Sequence, residues 1–103
     1  MPKFRILIHG ENYRIRTQKK SFLFRKKIDW KQVGFYTTRF IESETANEAI
    51  ERVFKIIDAE LREAGRVTAD STMELSEIQE DEKGYDLYAP GGGFTFYNED
   101  EEE

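Results

Sequence analysis

The stretch that most limits the fold is TANEAIERVFKIIDAELREAG, residues 45–65. Thr45 and Glu48 have capping-box spacing, in which each side chain satisfies a free backbone donor at a helix start. Ile50, Val53, Phe54, Ile57 and Leu61 recur at intervals of three and four, which draws one apolar stripe along a helix. Glu48/Arg52, Glu51/Lys55 and Asp58/Arg62 fall at i,i+4 on the outer side, each pair worth about a few tenths of a kcal/mol. Gly65 supplies the left-handed position that stops the helix. A helix with one apolar stripe needs one partner layer, and the flanking sequence is written as strands.

KFRILIH, residues 3–9, sets Phe4, Ile6 and Ile8 against Lys3, Arg5, Leu7 and His9. NYRIRT, residues 12–17, alternates again and either extends that strand or pairs back on it. VGFYTTRFIES, residues 33–43, splits into two faces, Phe35, Thr37, Arg39 and Ile41 against Tyr36, Thr38 and Phe40, and runs into the helix cap. In STMELSEIQED, residues 71–81, Leu75 and Ile78 fall out of phase, which predicts a bulge. YDLYAP and GFTFYNE read as two short strands around a PGGG turn. The expected order is β–β–α–β–β: an α+β, two-layer domain with an antiparallel sheet of four to five strands, covered on one face by a single long helix. Residues 1–98 form the one domain, and EDEEE, residues 99–103, forms an acidic disordered tail.

Charge is the second constraint. Residues 1–39 carry eleven bases and two acids, a balance of +9, whereas residues 40–103 carry five bases and nineteen acids, a balance of −14. The simplest arrangement lays the two halves side by side, so that opposite charges face each other across strands. In that arrangement Arg39 meets an acid such as Glu74 or Glu77. There is no cysteine, so disulfides, thiolate nucleophiles and cysteine-based metal sites are excluded. No run reaches the roughly 20 apolar residues of a membrane span, and MPKFRILIHG has too short an apolar run for a signal peptide. A cytoplasmic location is the expectation.

Four places invite chemistry. The first is the segment 14–31, where Arg14, Arg16, Lys19, Lys20, Arg25, Lys26, Lys27 and Lys31 are interleaved with Phe22, Phe24 and Trp30. Cations that neutralise phosphates beside rings that stack on bases suit single-stranded nucleic acid. The plainer reading is a protruding hairpin whose lysines guard its edge and whose charge faces acids elsewhere. The second is HGEN, where His9 and Glu11 suit acid–base chemistry if a pocket faces them. The plainer reading there is a strand-end histidine beside an Asx-type turn, with Gly10 giving the bend. The third, PGGGF, lacks the helix that a phosphate-cradling loop needs, and reads as a turn. The fourth is Thr37, Thr38 and Arg39, mid-strand, an anion-binding set or simply part of two strand faces.

FRILIHGENY followed by GFYTTRFIESETANEAIE resembles small uncharacterised bacterial proteins that share an IHGxN[FY] start and a GFYTTRF strand-to-helix step. The resemblance covers about the first sixty residues, including His9, Gly10, Asn12 and 34–40. It implies a fold type and a bacterial source, not a reaction. The helix entry also resembles small antitoxin-type domains, although their strand order before the helix differs.

The preferred expectation is a small non-catalytic binding or regulatory module. It would work through an open sheet face carrying rings such as Tyr36, Phe40, Tyr88 or Tyr97, with a protein partner or as a homodimer. Nucleic-acid binding through 14–31 is the first alternative, with Arg14, Arg16, Lys19, Lys20, Arg25, Lys26, Lys27, Trp30 and Lys31 as its residues. A small enzyme using His9 and Glu11 is the second. No cofactor and no metal is expected.

Overall fold

The computed structural model describes residues 1–20 and 26–99, of which 17–20 and 26–29 are described by backbone alone. Its elements are β1 (Lys3–Lys20), β2 (Lys26–Glu42), α1 (Ala46–Glu63), β3 (Thr72–Glu80), α2 (Glu82–Tyr88) and β4 (Thr95–Asn98). The four strands form one antiparallel sheet in the order β3-β1-β2-β4. This is an α+β fold, but the expected β–β–α–β–β order with a single helix is corrected by α2.

α1 forms where its spacing predicts. The Thr45 hydroxyl accepts from the Glu48 N–H at 3.1 Å, and Gly65 takes the left-handed conformation just past the Ala64 cap. Ala49, Val53, Ile57 and Leu61 are buried against the sheet, while Ile50 and Phe54 flank them, partly buried. The sheet answers with Phe4, Ile6, Ile8, Tyr13, Val33, Phe35 and Ile41. Burying a side chain such as Ile6, Ile57 or Phe35 contributes about 1.5–3 kcal/mol, which is why this face defines the fold.

Two bulges keep that face continuous. β1 puts Glu11 and Asn12 opposite the single residue Gly34, with Asn12 at φ 63°. The extra residue reverses the alternation, so Tyr13 and Ile15 join Phe4, Ile6 and Ile8 on the core side. NYRIRT therefore extends β1. Gly10 is not at a bend, as the Asx-turn reading requires; it lies under the ring of Phe35, where a Cβ would overlap ring carbons. On β3 the register skips Ser76, between Leu7↔Glu77 and Ile8↔Leu75, which is the bulge expected from the phase of Leu75 and Ile78.

The YDLYAP strand expected over 85–90 is largely helix. Asp81 caps α2 by accepting from the Gly84 N–H at 2.9 Å, in a site where Gly84 leaves room for the carboxylate. α2 is held by tertiary contacts. The Lys3 ammonium lies 3.0 Å from Asp86 and 5.0 Å from the centre of the Tyr85 ring, and Tyr88 lies against Phe40. Lys3 and Phe40 belong to the face opposite α1, so α2 covers one end of the face expected to be open. The PGGG turn is present, and it returns to the sheet where Phe40 N–H donates to Pro90 O and Arg39 bridges Gly91.

Arg39 does not pair with Glu74 or Glu77. It reaches across the core face to Glu60 on α1. Glu77 takes Arg5, and Glu74 takes His9. The acidic strand β3 thus neutralises the first part of β1 only.

Candidate functional site

The ribbon made by β1 and β2 runs on after the rest of the sheet has stopped. β3 pairs with β1 only over Phe4–Glu11, and β4 pairs with β2 only over Val33–Tyr36. From Ile15↔Lys31 to Lys20↔Lys26 the two strands pair only with each other. The molecule is accordingly elongated, 58 Å by 28 Å by 26 Å. The protruding hairpin expected for this segment is therefore present through its last described pair.

The register of the ribbon decides its electrostatics. Lys19 stands opposite Lys27 and Lys20 opposite Lys26, while the one acid, Asp29, is opposite Thr17. Like charges set directly opposite each other destabilise a ladder. Arg14 stacks its guanidinium 4.0 Å from the Trp30 ring centre and donates from Nε to the Gly65 carbonyl at 3.0 Å. Trp30 is 47 % exposed, and Arg16 and Lys31 are exposed beside it. Among the described side chains, no carboxylate lies within ion-pair distance of Arg14, Arg16 or Lys31. The expected neutralisation of this segment by the acidic half therefore does not extend to these three. Phe22, Phe24 and Arg25 lie outside the described residues.

A second constellation sits at the middle of the sheet, on the face away from α1. His9 on β1 is opposite Tyr36 on β2 and Glu74 on β3. Its Nδ1 lies 3.0 Å from Glu74 Oε1 and 3.9 Å from Glu11 Oε1, and its Nε2 lies 2.5 Å from the Tyr97 hydroxyl. The imidazole stacks on Tyr36 at 4.6 Å between ring centres. Tyr97 lies over Gly34, whose missing Cβ makes room for the ring. Loss of solvent, then the charge of Glu99, raises the Tyr97 pKa above its ordinary value, with Tyr36, Glu11 and Glu74 adding to the effect. His9 keeps little exposure (13 % for the side chain), whereas Glu11 and Glu74 are open to solvent.

Sequence reasoning picked out His9, Glu11, Tyr36 and Tyr97 but not their assembly with Glu74. The missing information was register: nothing within either strand says that residue 74 meets residue 9. Tyr36 and Tyr97 are exposed on the face away from α1, as expected, while Phe40 and Tyr88 lie where α2 crosses it. Glu99, assigned by its charge run to the tail, accepts from the Asn12 N–H at 3.0 Å and from Gln32 Nε2 at 3.0 Å. It thereby supports the left-handed Asn12 and closes the bulge. Residues 100–103 lie outside the described residues.

Thr37 and Arg39 act on the core side. Arg39 Nε donates to Thr37 Oγ1, and Thr37 Oγ1 donates to the Gly93 carbonyl at 2.6 Å. Both groups are spent on structure. Where β2 passes between α1 and α2 there is a groove of about 570 Å³, lined by Phe40, Ile41, Val53, Ile56, Tyr85 and Pro90 among others. No helix among the described residues is long and apolar enough to cross a membrane. No protein-family model, no curated protein and no solved structure matches this chain.

Proposed function

We propose that the protein is a non-catalytic binding module that grips single-stranded nucleic acid with the ribbon of β1 and β2. The observation that supports this reading is the backbone register, which sets lysine positions opposite each other at two consecutive pairs near the far end of the ribbon. Such an arrangement is unfavourable alone and becomes favourable once a polyanion supplies the counter-charge. Segment 14–31 carries eight bases and one acid, a balance of +7. The chain's overall negative charge does not oppose this. The Debye length is about 8 Å at physiological salt, so carboxylates at the far end of an elongated molecule are screened from the ribbon. Trp30, half exposed and beside Arg14, adds the ring on which an unpaired base stacks.

The test is fluorescence anisotropy of a labelled 20-nucleotide single strand across a salt series. Binding is expected to weaken linearly on logarithmic axes, with about 0.7 of slope per phosphate contacted. Lys26→Glu/Lys27→Glu is expected to abolish it while leaving the thermal melt intact. Affinity that is flat with salt, or unchanged by the double reversal, removes this reading.

A second reading is a homodimer across the face away from α1. It is favoured by Tyr36 and Tyr97, each more than a third exposed there. Sedimentation equilibrium decides it: a monomer at micromolar concentration sets it aside.

A further inference from the structure

We infer that His9, Glu11 and Glu74 form a binding site for a divalent first-row transition-metal ion, with His9 Nδ1 as the nitrogen ligand and one carboxylate oxygen from each glutamate. One ligand atom from each residue lies within 4.8 Å of the other two. Metal–nitrogen and metal–oxygen bonds of about 2.0–2.2 Å bring ligand atoms to roughly 3–3.5 Å from one another. The 3.0 Å between Nδ1 and Glu74 Oε1 already meets that spacing, and Glu11 at 3.9 Å closes the remainder by rotating an exposed side chain.

The placement follows from the sheet. His9 and Glu11 are alternate residues of β1 on one face, and β3 brings Glu74 opposite His9. Both carboxylates pair with His9 and, among the described residues, form an ion pair with nothing else. Even a protonated imidazole leaves the trio with one negative charge, so a dication suits it better than a proton does.

The far side of the ring carries the second argument. A ligating histidine characteristically donates its other N–H to an acceptor, which fixes the tautomer and the ring plane. Here the Tyr97 hydroxyl sits at Nε2 and Tyr36 stacks on the ring, so the imidazole is held with Nδ1 toward the two carboxylates. A carboxylate only accepts, so the neutral tautomer that satisfies both contacts in the metal-free protein has Nδ1–H donating to Glu74 and Tyr97 O–H donating to Nε2. On binding, the metal displaces the Nδ1 proton to solvent and Nε2 takes one proton up from solvent, so the neutral ring changes tautomer and the Tyr97 hydroxyl becomes the acceptor. Tyr97 is thus a positioning residue. Three protein ligands leave at least one coordination place for water or for a ligand atom of a partner. A mixed nitrogen–oxygen set suits zinc or manganese better than calcium, whose sites are all oxygen.

The experiment is a titration of ZnCl₂ into the full chain, followed by calorimetry and by the ¹⁵N shifts of the His9 ring, with MnCl₂ followed by calorimetry alone. One ion per chain is expected, with Nδ1 taking the metal-bound shift and Nε2 the protonated one. His9→Ala and Glu74→Gln are expected to weaken binding by at least tenfold, and Tyr97→Phe by about tenfold, the lower end of the range for such outer partners. His9 is the only histidine, so weak binding to carboxylates elsewhere survives His9→Ala and is told apart from this site. Lack of saturation at one ion per chain overturns the inference. So does a wild-type spectrum in which the Nδ1 shift does not move, and that result stands whether or not the variants fold.

Discussion

Arg39 on β2 and Glu60 on α1 are joined by two parallel bonds, Nη1 to Oε2 at 2.7 Å and Nη2 to Oε1 at 3.1 Å. Arg39 is 7 % exposed, and its third donor, Nε, is taken by Thr37. The pair ties the helix to a central strand by a fork that fits in one orientation only. Removing the carboxylate leaves a buried guanidinium partly unpaired. Breaking a fully buried pair costs about 3–5 kcal/mol, but Glu60 is itself 43 % exposed, so the expected cost of Glu60→Ala is about 1–3 kcal/mol. Urea melts of the two proteins check this; a change under about 0.5 kcal/mol, the range of ordinary surface substitutions, counts against a structural role for the pair.

Gly10 is expected to tolerate no side chain. A methyl group there overlaps the ring of Phe35, which is itself fully buried between Tyr13 and Phe94. Overpacking of this kind costs about 1–3 kcal/mol or more, so Gly10→Ala should lower the melting temperature by several degrees. A melt unchanged within error would mean that the Phe35 ring has another place to go.

Alkaline pH should loosen the core through Tyr13. Its pKa is raised, by burial first and by Asp58 second, with Arg62 opposing. In the unfolded chain the phenol ionises near its ordinary value of about 10, so above that pH the unfolded state gives up a proton that the folded state keeps. The contribution is whole below the unfolded pKa and is lost as pH rises through the folded one. Tyr13→Phe is expected to fold and to show a shallower fall in melting temperature between about pH 9 and 11. Parallel curves for the two proteins would place the alkaline weakness elsewhere.

Within the ribbon, Arg16 and Lys31 are exposed and their removal leaves the core untouched. Arg16→Ala/Lys31→Ala should reduce the salt slope of single-strand binding by about 1.4, two phosphate contacts' worth. A weaker affinity with the slope unaltered would show that these two residues act on something other than phosphate.

The legible parts of this chain were those fixed by neighbours in sequence. The cap and C-terminal glycine of α1, its buried stripe, the two faces of β2 and the slip near Ser76 all follow from residues a few places apart. Ala49 was passed over because a stripe drawn from large side chains omits the small one at closest approach. α2 was hidden for a different reason. Tyr85 and Tyr88 favour a strand in isolation, and the Asp81 cap together with Lys3, far away in the chain, makes the helix the better solution. The partners of Arg39 and His9 were equally out of reach, since both depend on which residues distant segments bring alongside. The ribbon's like-charged ladder sits between these cases: the lysines are plain in the sequence, but their opposition requires the bulge at Glu11 and Asn12 to set the count.

Placing β1 and β2 at the centre of the sheet also sets an order of assembly. These strands follow one another in the chain and share the longest run of pairing, so the middle of the sheet joins segments that are near in sequence, at small entropic cost. β3 and β4 must be recruited from much farther along, and each is added to a hairpin that already exists. Growth from a seed in this direction gives the rim strands the shortest lifetimes under native conditions. β4, four residues long, would be the first to fray and the last to return.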